Sequence, residues 1–342
     1  MKRVQNQPGK IDIIAVAKAA KVSASTVSRS FNHPGLVKPA TRKKIDAAVK
    51  RLGYIRNRAA QAMHGRRSGT IGLIVPTINH AIFAEVIQSF SDAVEAAGFT
   101  ILITSHGYDL DREYAVLRKL MEHRVDGIAI IGLDHSEETY QLIEQQSTPA
   151  IAIWNHQPDS RIACVGADNV SAGRLAAQHL IDLGHRQIGI VFPRAAGNDR
   201  ARDRWSGALA ALKEAGVQVP DDWQRVVPYS IAKAKEACAS LLQQATPPKA
   251  LLCGNDVIAQ GAVFAAHKLG LRLPRDLSVI GIGDFKGSED MEPPLTTIRI
   301  PAQSIGQIAA DQIVQMIAEP GDDILRQNCA VKFLERGTTA PV

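Results

Sequence analysis

In the stretch SASTVSRSFN, residues 23–32, Val27 and Phe31 stand four apart. On a helix they share one face, which leaves Ala24, Ser25, Ser28, Arg29 and Asn32 on the other. That outer face is short, polar and carries one guanidinium. Small side chains let a helix sink into the major groove of DNA, and an arginine there can grip the O6/N7 edge of a guanine. Nucleic-acid recognition is the chemistry these residues can perform. An ordinary helical hairpin would show the same apolar spacing, and these ten residues alone leave that alternative open.

Other chemistry finds little support. The four cysteines, Cys164, Cys238, Cys253 and Cys329, are scattered, and the ten histidines show no H-E-x-x-H or comparable ligand spacing. That pattern fits buried thiols rather than a disulfide frame or a metal site. Gly281-x-Gly283 follows an apolar run, but Lys286 stands where a dinucleotide turn needs its third glycine. The segment SEDMEPP that follows cannot start the helix that would receive a pyrophosphate. There is no P-loop and no G-x-S-x-G. The chain is not expected to be an enzyme, and no cofactor or metal is expected.

The elements that must position the polar face begin at residue 12. DIIAVAKAAKVSASTVSRSFN predicts two short helices joined by a turn, with Val16, Ala17, Ala20, Val22, Val27 and Phe31 locking them together and Ser23 capping the second. Pro39 starts a third helix in which Ile45, Ala48, Val49 and Leu52 recur at i, i+3, i+4, i+7, and Gly53 stops it. Residues 58–64 contain good helix formers but no apolar core. They are either a helix that orders only against a partner or a plain basic linker.

Charge is divided unevenly. Residues 1–67 hold 16 Lys/Arg against 2 Asp/Glu, and residues 68–342 hold 24 against 32, so a +14 segment is fused to a −8 segment within a chain of net +6. A basic segment of this kind binds phosphates through counterion release. It lacks the aromatic amphipathic face that a membrane surface would require. No window approaches a membrane helix, and MKRVQNQPGKID has no signal-peptide core, so a cytoplasmic protein is expected.

From Thr70 the pattern alternates strand and helix: TIGLIVP, IFAEVIQSFSDAVEAAG, FTILITS, DLDREYAVLRKLMEHR, DGIAIIG and onward to SIGQIAADQIVQMIAE. Nearly continuous Val/Ile strands between amphipathic helices predict doubly wound parallel sheets, which bind ligands at the carboxyl ends of their strands. About 270 residues suffice for two lobes with a cleft between them.

The motifs VAKAAKVSASTVSRSFN, T-R-x-K-I with LGYIRNRAAQAM, IGLIVP, HLIDLGHRQIGIV, Gly254-Asn255-Asp256 and PPLTTIRIP, in this order, resemble the lactose/galactose repressor (LacI/GalR) family over essentially residues 10–340. The resemblance implies an all-α helix-turn-helix headpiece, residues 1–56, a hinge helix or linker, 57–68, and an α/β domain like the periplasmic sugar-binding proteins, 69–342. The latter would have subdomains near 69–165 plus 300–325 and 166–298 plus 326–342. It further implies a homodimer whose paired headpieces read a pseudo-palindromic operator in double-stranded DNA. Ala24, Ser25 and Arg29 fall at the family's base-reading positions, and Ser23, Thr26, Ser28 and Asn32 where the phosphate backbone is held. Tyr54 and Asn57 match positions flanking the hinge helix, and Met63 stands where the family's hinge leucine wedges into the minor groove. Ala15 departs from the family's usual acidic residue in helix 1. Residues 82–97 and 254–269 are expected to contribute to the dimer surface, and no leucine-heptad tail points to a tetramer.

Carried over position by position, the effector cleft includes Thr77, Asn79, Phe83, Trp154, Arg202, Arg204, Asn255, Asp284 and Ile300. Neutral-sugar members commonly bind hydroxyls with aspartates at two places that hold Trp154 and Gly283 here. Arg200, Arg202 and Lys286 lie nearby in sequence. Fewer carboxylates and more cations favour an anionic ligand. GIGDF and NHAIFAEV also look like the gluconate-type branch, so a sugar acid such as gluconate is the expected effector. The alternative is the same fold acting as a corepressor-dependent or activating regulator with a neutral sugar, sugar phosphate or nucleobase.

Overall fold

The structure is a computed structural model and describes residues 11–56, 67–79, 83–321 and 323–342. Asn57, Met63, the segment 58–64 and Ile82 lie outside the described residues. The chain divides into two units, at Ser68/Gly69.

In the first unit, α1 (Ile13–Ala20) begins at Asp12, whose carboxylate accepts from the Ala15 amide at 2.8 Å. It ends at Lys21, in the left-handed region at φ 56°, which turns the chain tightly into α2 (Ala24–Asn32). Ser23 caps α2 as its sequence predicts: its hydroxyl accepts from the Thr26 amide at 3.1 Å. α3 (Pro39–Leu52) has proline in its first turn, where no amide donor is missed, and closes on Gly53 at φ 63°. Val16, Ala17, Ala20, Val27, Ile45 and Ala48 form the buried core, with Val22 and Phe31 half-buried against it.

The second unit contains two six-stranded sheets. The first has β1 (Thr70–Val75), β2 (Thr100–Ser105), β3 (Gly127–Ile131), β4 (Ala150–Asn155) and β5 (Ala163–Ala167). Its helices are α4 (Ala84–Ala96), α5 (Leu110–Glu122) and α6 (Glu137–Gln146). The chain then crosses to the second lobe through α7 (Asn169–Asp182). There β6 (Ile188–Phe192), β7 (Gln224–Val226), β8 (Ala250–Cys253), β9 (Ser278–Gly283) and β10 (Thr296–Arg299) alternate with α8 (Asp199–Glu214), α9 (Ile231–Leu242) and α10 (Asp256–Lys268). It returns to the first lobe with α11 (Ala302–Ala318) and β11 (Arg326–Asn328), and ends in the second with β12 (Lys332–Leu334).

Strand order is β11-β5-β4-β3-β1-β2 in one sheet and β12-β10-β9-β8-β6-β7 in the other. Two details depart from the sequence reading. β11 pairs parallel with β5, Arg326 opposite Cys164, so residues 326–328 belong to the first lobe rather than the second. β12 pairs antiparallel with β10, Phe333 opposite Ile298, so the second sheet is not wholly parallel. Both strands are three residues long and lie at sheet edges, too short for their periodicity to declare a partner. The interior β1, β3, β4, β6, β8 and β9 are buried nearly throughout, as their apolar runs predict.

Candidate operator and effector sites

On α2, Ser25 and Arg29 are exposed, whereas Ala24, Thr26, Ser28 and Asn32 are half-buried. The Ser23 hydroxyl lies 2.8 Å from both the Ser25 and Thr26 hydroxyls, so the capping serine also orders the first turn of the polar face. At the other end, Asn32 donates to Ser28 Oγ at 3.2 Å and accepts from Arg56. The Arg56 guanidinium stands 5.6 Å from the Phe31 ring centre, and Phe31 lies 6.2 Å from Tyr54. Asn32 is thus held from two sides, and Tyr54 packs behind the helix rather than beside its polar face. Ser25 and Arg29 are left as the outward groups. Lys43, Lys44, Lys50 and Arg51 are exposed on α3.

In the larger unit, the carboxyl ends of the strands of the two lobes face each other. Phe83, immediately before α4, and Trp154, at the end of β4, meet edge to face with ring centres 5.6 Å apart. Arg200, on α8 of the other lobe, stands 5.9 Å from the Phe83 ring centre. Trp154 is buried and has φ 87°, a conformation that few residues of its bulk adopt. Arg204, one turn along α8, donates from Nε to Asn169 Oδ1 at 2.7 Å and from Nη1 to the Gly254 carbonyl at 3.2 Å. Asn255 caps α10 through Oδ1, which accepts from the Ile258 amide at 3.0 Å.

Among the buried side-chain groups without a hydrogen-bond partner are Arg204 Nη2, Asn255 Nδ2 and Trp154 Nε1, three donors at the cleft, and the Tyr108 hydroxyl, which can donate or accept. The three donor residues are buried. Such groups cost free energy unless something accepts from them. Burial drives the Arg204 pKa down to about 10, and Arg200 pushes it the same way, because Arg204 has no carboxylate bonded to it. It still carries its charge at neutral pH.

The nearby carboxylates are already engaged. Asp199 accepts from Arg200 Nη1 at 2.7 Å, from the Leu133 amide at 2.7 Å and from Asn155 Nδ2 at 2.9 Å, the last two being groups of the first lobe. Asp203 accepts from Asn155 at 3.1 Å, and burial raises its pKa. Asp256 accepts from Thr297, Ser288 and the Phe285 amide, and burial raises its pKa too. These contacts make Asp256 a strut for the 285–288 loop.

Several expected cleft residues do other work. Asp284 sits between Arg299 and Arg336, at 2.6 and 2.7 Å, so its carboxylate is neutralised by protein cations. Arg202 is on the rim, paired with Asp134 across the lobes at 2.9 Å. Lys286 lines a separate mixed-charge pocket of about 460 Å³ with Glu85, Glu289 and Arg299. Thr77 accepts from the Asn79 amide at 3.1 Å, and Asn79 is exposed beyond β1. Ile300 is buried at the crossing back to the first lobe. At Gly283 the Phe285 ring occupies the space that a Cβ would need.

Sequence reasoning missed Tyr108 and Tyr229. Their rings stack across the lobes with centres 6.3 Å apart, and Tyr229 accepts from Asn198 at 2.9 Å. With Leu110 and Arg194 they line a groove of about 500 Å³. It also missed the polar chain from Arg204 through Asn169 and Asn155 to Asp199, in which Asn169 donates to Asn155 at 2.7 Å. No local signal marks these residues, which lie at or just beyond the carboxyl ends of five different strands.

Residues 12–57 match the bacterial regulatory proteins of the lacI family, and residues 68–336 match the periplasmic binding proteins and sugar binding domain of the LacI family. The HTH-type transcriptional repressor PurR of Photorhabdus laumondii is 31% identical over 323 residues, 94% of each chain. A LacI-family transcriptional regulator from Silicibacter pomeroyi superposes with a TM-score of 0.87 at 27% identity, covering 96% of this chain and 99% of that one. The lac repressor dimer bound to operator and the anti-inducer ONPF gives 0.85 at 26% identity with the same coverage. These relatives are transcriptional regulators, not enzymes. The chain belongs to the LacI family of transcriptional repressors, DNA-binding proteins governed by small-molecule effectors.

Proposed function

We propose that the protein represses transcription as a homodimer on a pseudo-palindromic operator and is released from it by a small sugar acid such as gluconate. The observation that carries the effector reading is the set of buried, unpartnered donors, Arg204 Nη2, Asn255 Nδ2 and Trp154 Nε1, beside carboxylates that are each already bonded. A site that offers more free donors than free acceptors favours an acceptor-rich ligand, and an ionised carboxylate accepts most strongly. Of the cations expected to favour an anion, Arg200, Arg202 and Lys286 have other company, so the role falls to Arg204. Phe83 and Trp154 offer apolar ring surface for a sugar carbon chain.

For the operator, Ser25 and Arg29 read bases, with Ala24 allowing close approach, and Ser23, Thr26, Ser28 and Asn32 hold the backbone. Asn57 and Met63 complete the contact at the hinge. The dimeric, operator-bound lac repressor, similar over nearly the whole chain, supports this arrangement. Effector binding changes the relation of the two lobes and so the spacing of the paired hinges.

The test is calorimetric titration of the purified protein with gluconate, galactonate, glucose, ribose and hypoxanthine. Binding of the aldonates but not of the uncharged sugars is expected. Tight binding of a neutral sugar or nucleobase with none for the aldonates overturns the effector reading while leaving the operator reading intact.

A further inference from the structure

Beside the donors assigned to the acid lies the groove of about 500 Å³, which that assignment leaves unused. Its walls come from both lobes. Tyr108, after β2, and Leu110, at the start of α5, belong to the first lobe; Pro193 and Arg194, after β6, and Pro228 and Tyr229, after β7, belong to the second. β2 and β7 are edge strands of their sheets, so the groove lies at the side of the cleft. The Tyr108 and Tyr229 rings face each other across the lobes, with centres 6.3 Å apart and planes inclined by 30°.

Tyr108 connects this groove with the donor centre. Its ring lines the groove, while its hydroxyl is buried without a hydrogen-bond partner and feels the charges of Arg200, Arg204 and Asp199. A buried hydroxyl in that condition costs free energy until something bonds to it. The residue is also held at φ 61°, a left-handed conformation that bulky side chains rarely adopt. Backbone of this kind persists where the surroundings over-determine it, and ligand clamps are such places. Gly197 faces it from the second lobe at φ 66°, where a Cβ would come within 3.1 Å of the Tyr108 carbonyl, so the two loops meet at Tyr108.

The walls combine two chemistries. The tyrosine rings, Leu110 and the two prolines offer apolar surface. The Tyr229 hydroxyl, which accepts from Asn198 at 2.9 Å, and the exposed Arg194 guanidinium offer polar groups at its border. A pyranose ring has the matching pair, a C–H face that lies on an aromatic ring and hydroxyls around its rim. An open polyol chain has no such face to lay on the tyrosines.

We propose that this groove is a second subsite for a sugar ring joined to the acid, so that the effector is a glycosyl aldonate with its carboxylate at Arg204 and its pyranose against Tyr108 and Tyr229. The anchored end rests on the sugar-acid reading above; the second ring rests on the groove. The Tyr108 hydroxyl lies where the two parts join and gains there the partner that the protein does not give it.

The test is calorimetric titration of the full chain with gluconate, with the glycosyl aldonates maltobionate, cellobionate and lactobionate, and with the neutral disaccharides maltose and cellobiose. At least one glycosyl aldonate is expected to bind about tenfold or more tightly than gluconate, an increment suited to one buried ring contact. Tyr229→Ala should bring that ratio close to one. Should Tyr229→Ala not fold, Leu110→Trp, which fills the groove from the other lobe, should do the same. Gluconate binding with no gain from a second ring overturns the second subsite alone. A Tyr229→Ala protein that loses affinity for gluconate and the glycosyl aldonate equally also overturns it, because a merely structural tyrosine leaves the ratio unchanged. Tight binding of maltose or cellobiose with none of the acids overturns the sugar-acid reading, and the glycosyl aldonate with it. Binding of none of the panel overturns both.

Discussion

The outer face of α2 and the cleft between the lobes are both polar, yet they treat their polar groups differently. On α2 the outer polar side chains are exposed or half-buried, and hydrogen bonds among them, Ser23 to Ser25 and Asn32 to Ser28, fix where they stand while Arg29 is left exposed. In the cleft, Arg200, Arg204 and Asp199 are buried and the aspartates are already bonded, leaving mainly donors over. The first arrangement suits a large, hydrated, charged partner whose affinity depends on salt. The second suits a small ligand that must replace lost hydration atom by atom. Long-range charge governs one region, and hydrogen-bond satisfaction governs the other.

The sharpest way to break that contrast is at Arg204. Arg204→Ala removes the free donor and its charge, and should weaken effector binding by about 3 kcal/mol, roughly 100-fold, in calorimetry. Operator binding without effector should persist. Gly207→Ala comes next. A Cβ there would overlap the Val170 carbonyl, where α7 and α8 cross, so urea denaturation should show a loss of roughly 2–3 kcal/mol in the larger unit.

In the headpiece, Arg29→Ala should cost about 1–3 kcal/mol on the operator and much less on random DNA, read by fluorescence anisotropy at fixed salt. Equal losses on both would make Arg29 a phosphate contact. Ser23→Ala removes the cap of α2 and should lower headpiece stability by about 1 kcal/mol, followed by circular dichroism.

The smallest effect is one of pH. Burial lowers the pKa of His179 and His185 below the ordinary value of 6.5. The unfolded chain therefore binds more protons than the native one just below 6.5, so stability is retained above that value and lost as pH falls beneath it. The urea midpoint should drop between pH 7 and 5, and His185→Gln should flatten the drop.

Much of this was legible in the sequence because it rests on local rules. The spacing of Val27 and Phe31, the Ser23 cap, Pro39 and Gly53 set the headpiece helices, and the Val/Ile runs set the interior strands. Arg204 and Asn255 could be carried over from the resemblance, but how they are satisfied could not. Asp284 reads as a free carboxylate until Arg299 and Arg336 fold onto it. Asn155, Asn169 and Asp199 become one chain only when two lobes meet. β5 and β11 escaped notice because ACVGA and RQN lack the apolar repetition that marks a strand, and pairing defines them instead.

The central claim is that a donor-rich cleft in the larger unit controls what the small basic unit does to DNA. Its most direct test is operator affinity, measured at one salt concentration for the full chain and for Arg204→Ala, with and without gluconate. Gluconate should weaken operator binding by the wild-type protein at least tenfold and leave the Arg204→Ala protein unchanged. Release by glucose or ribose but not by gluconate, or equal release of both proteins, would contradict it.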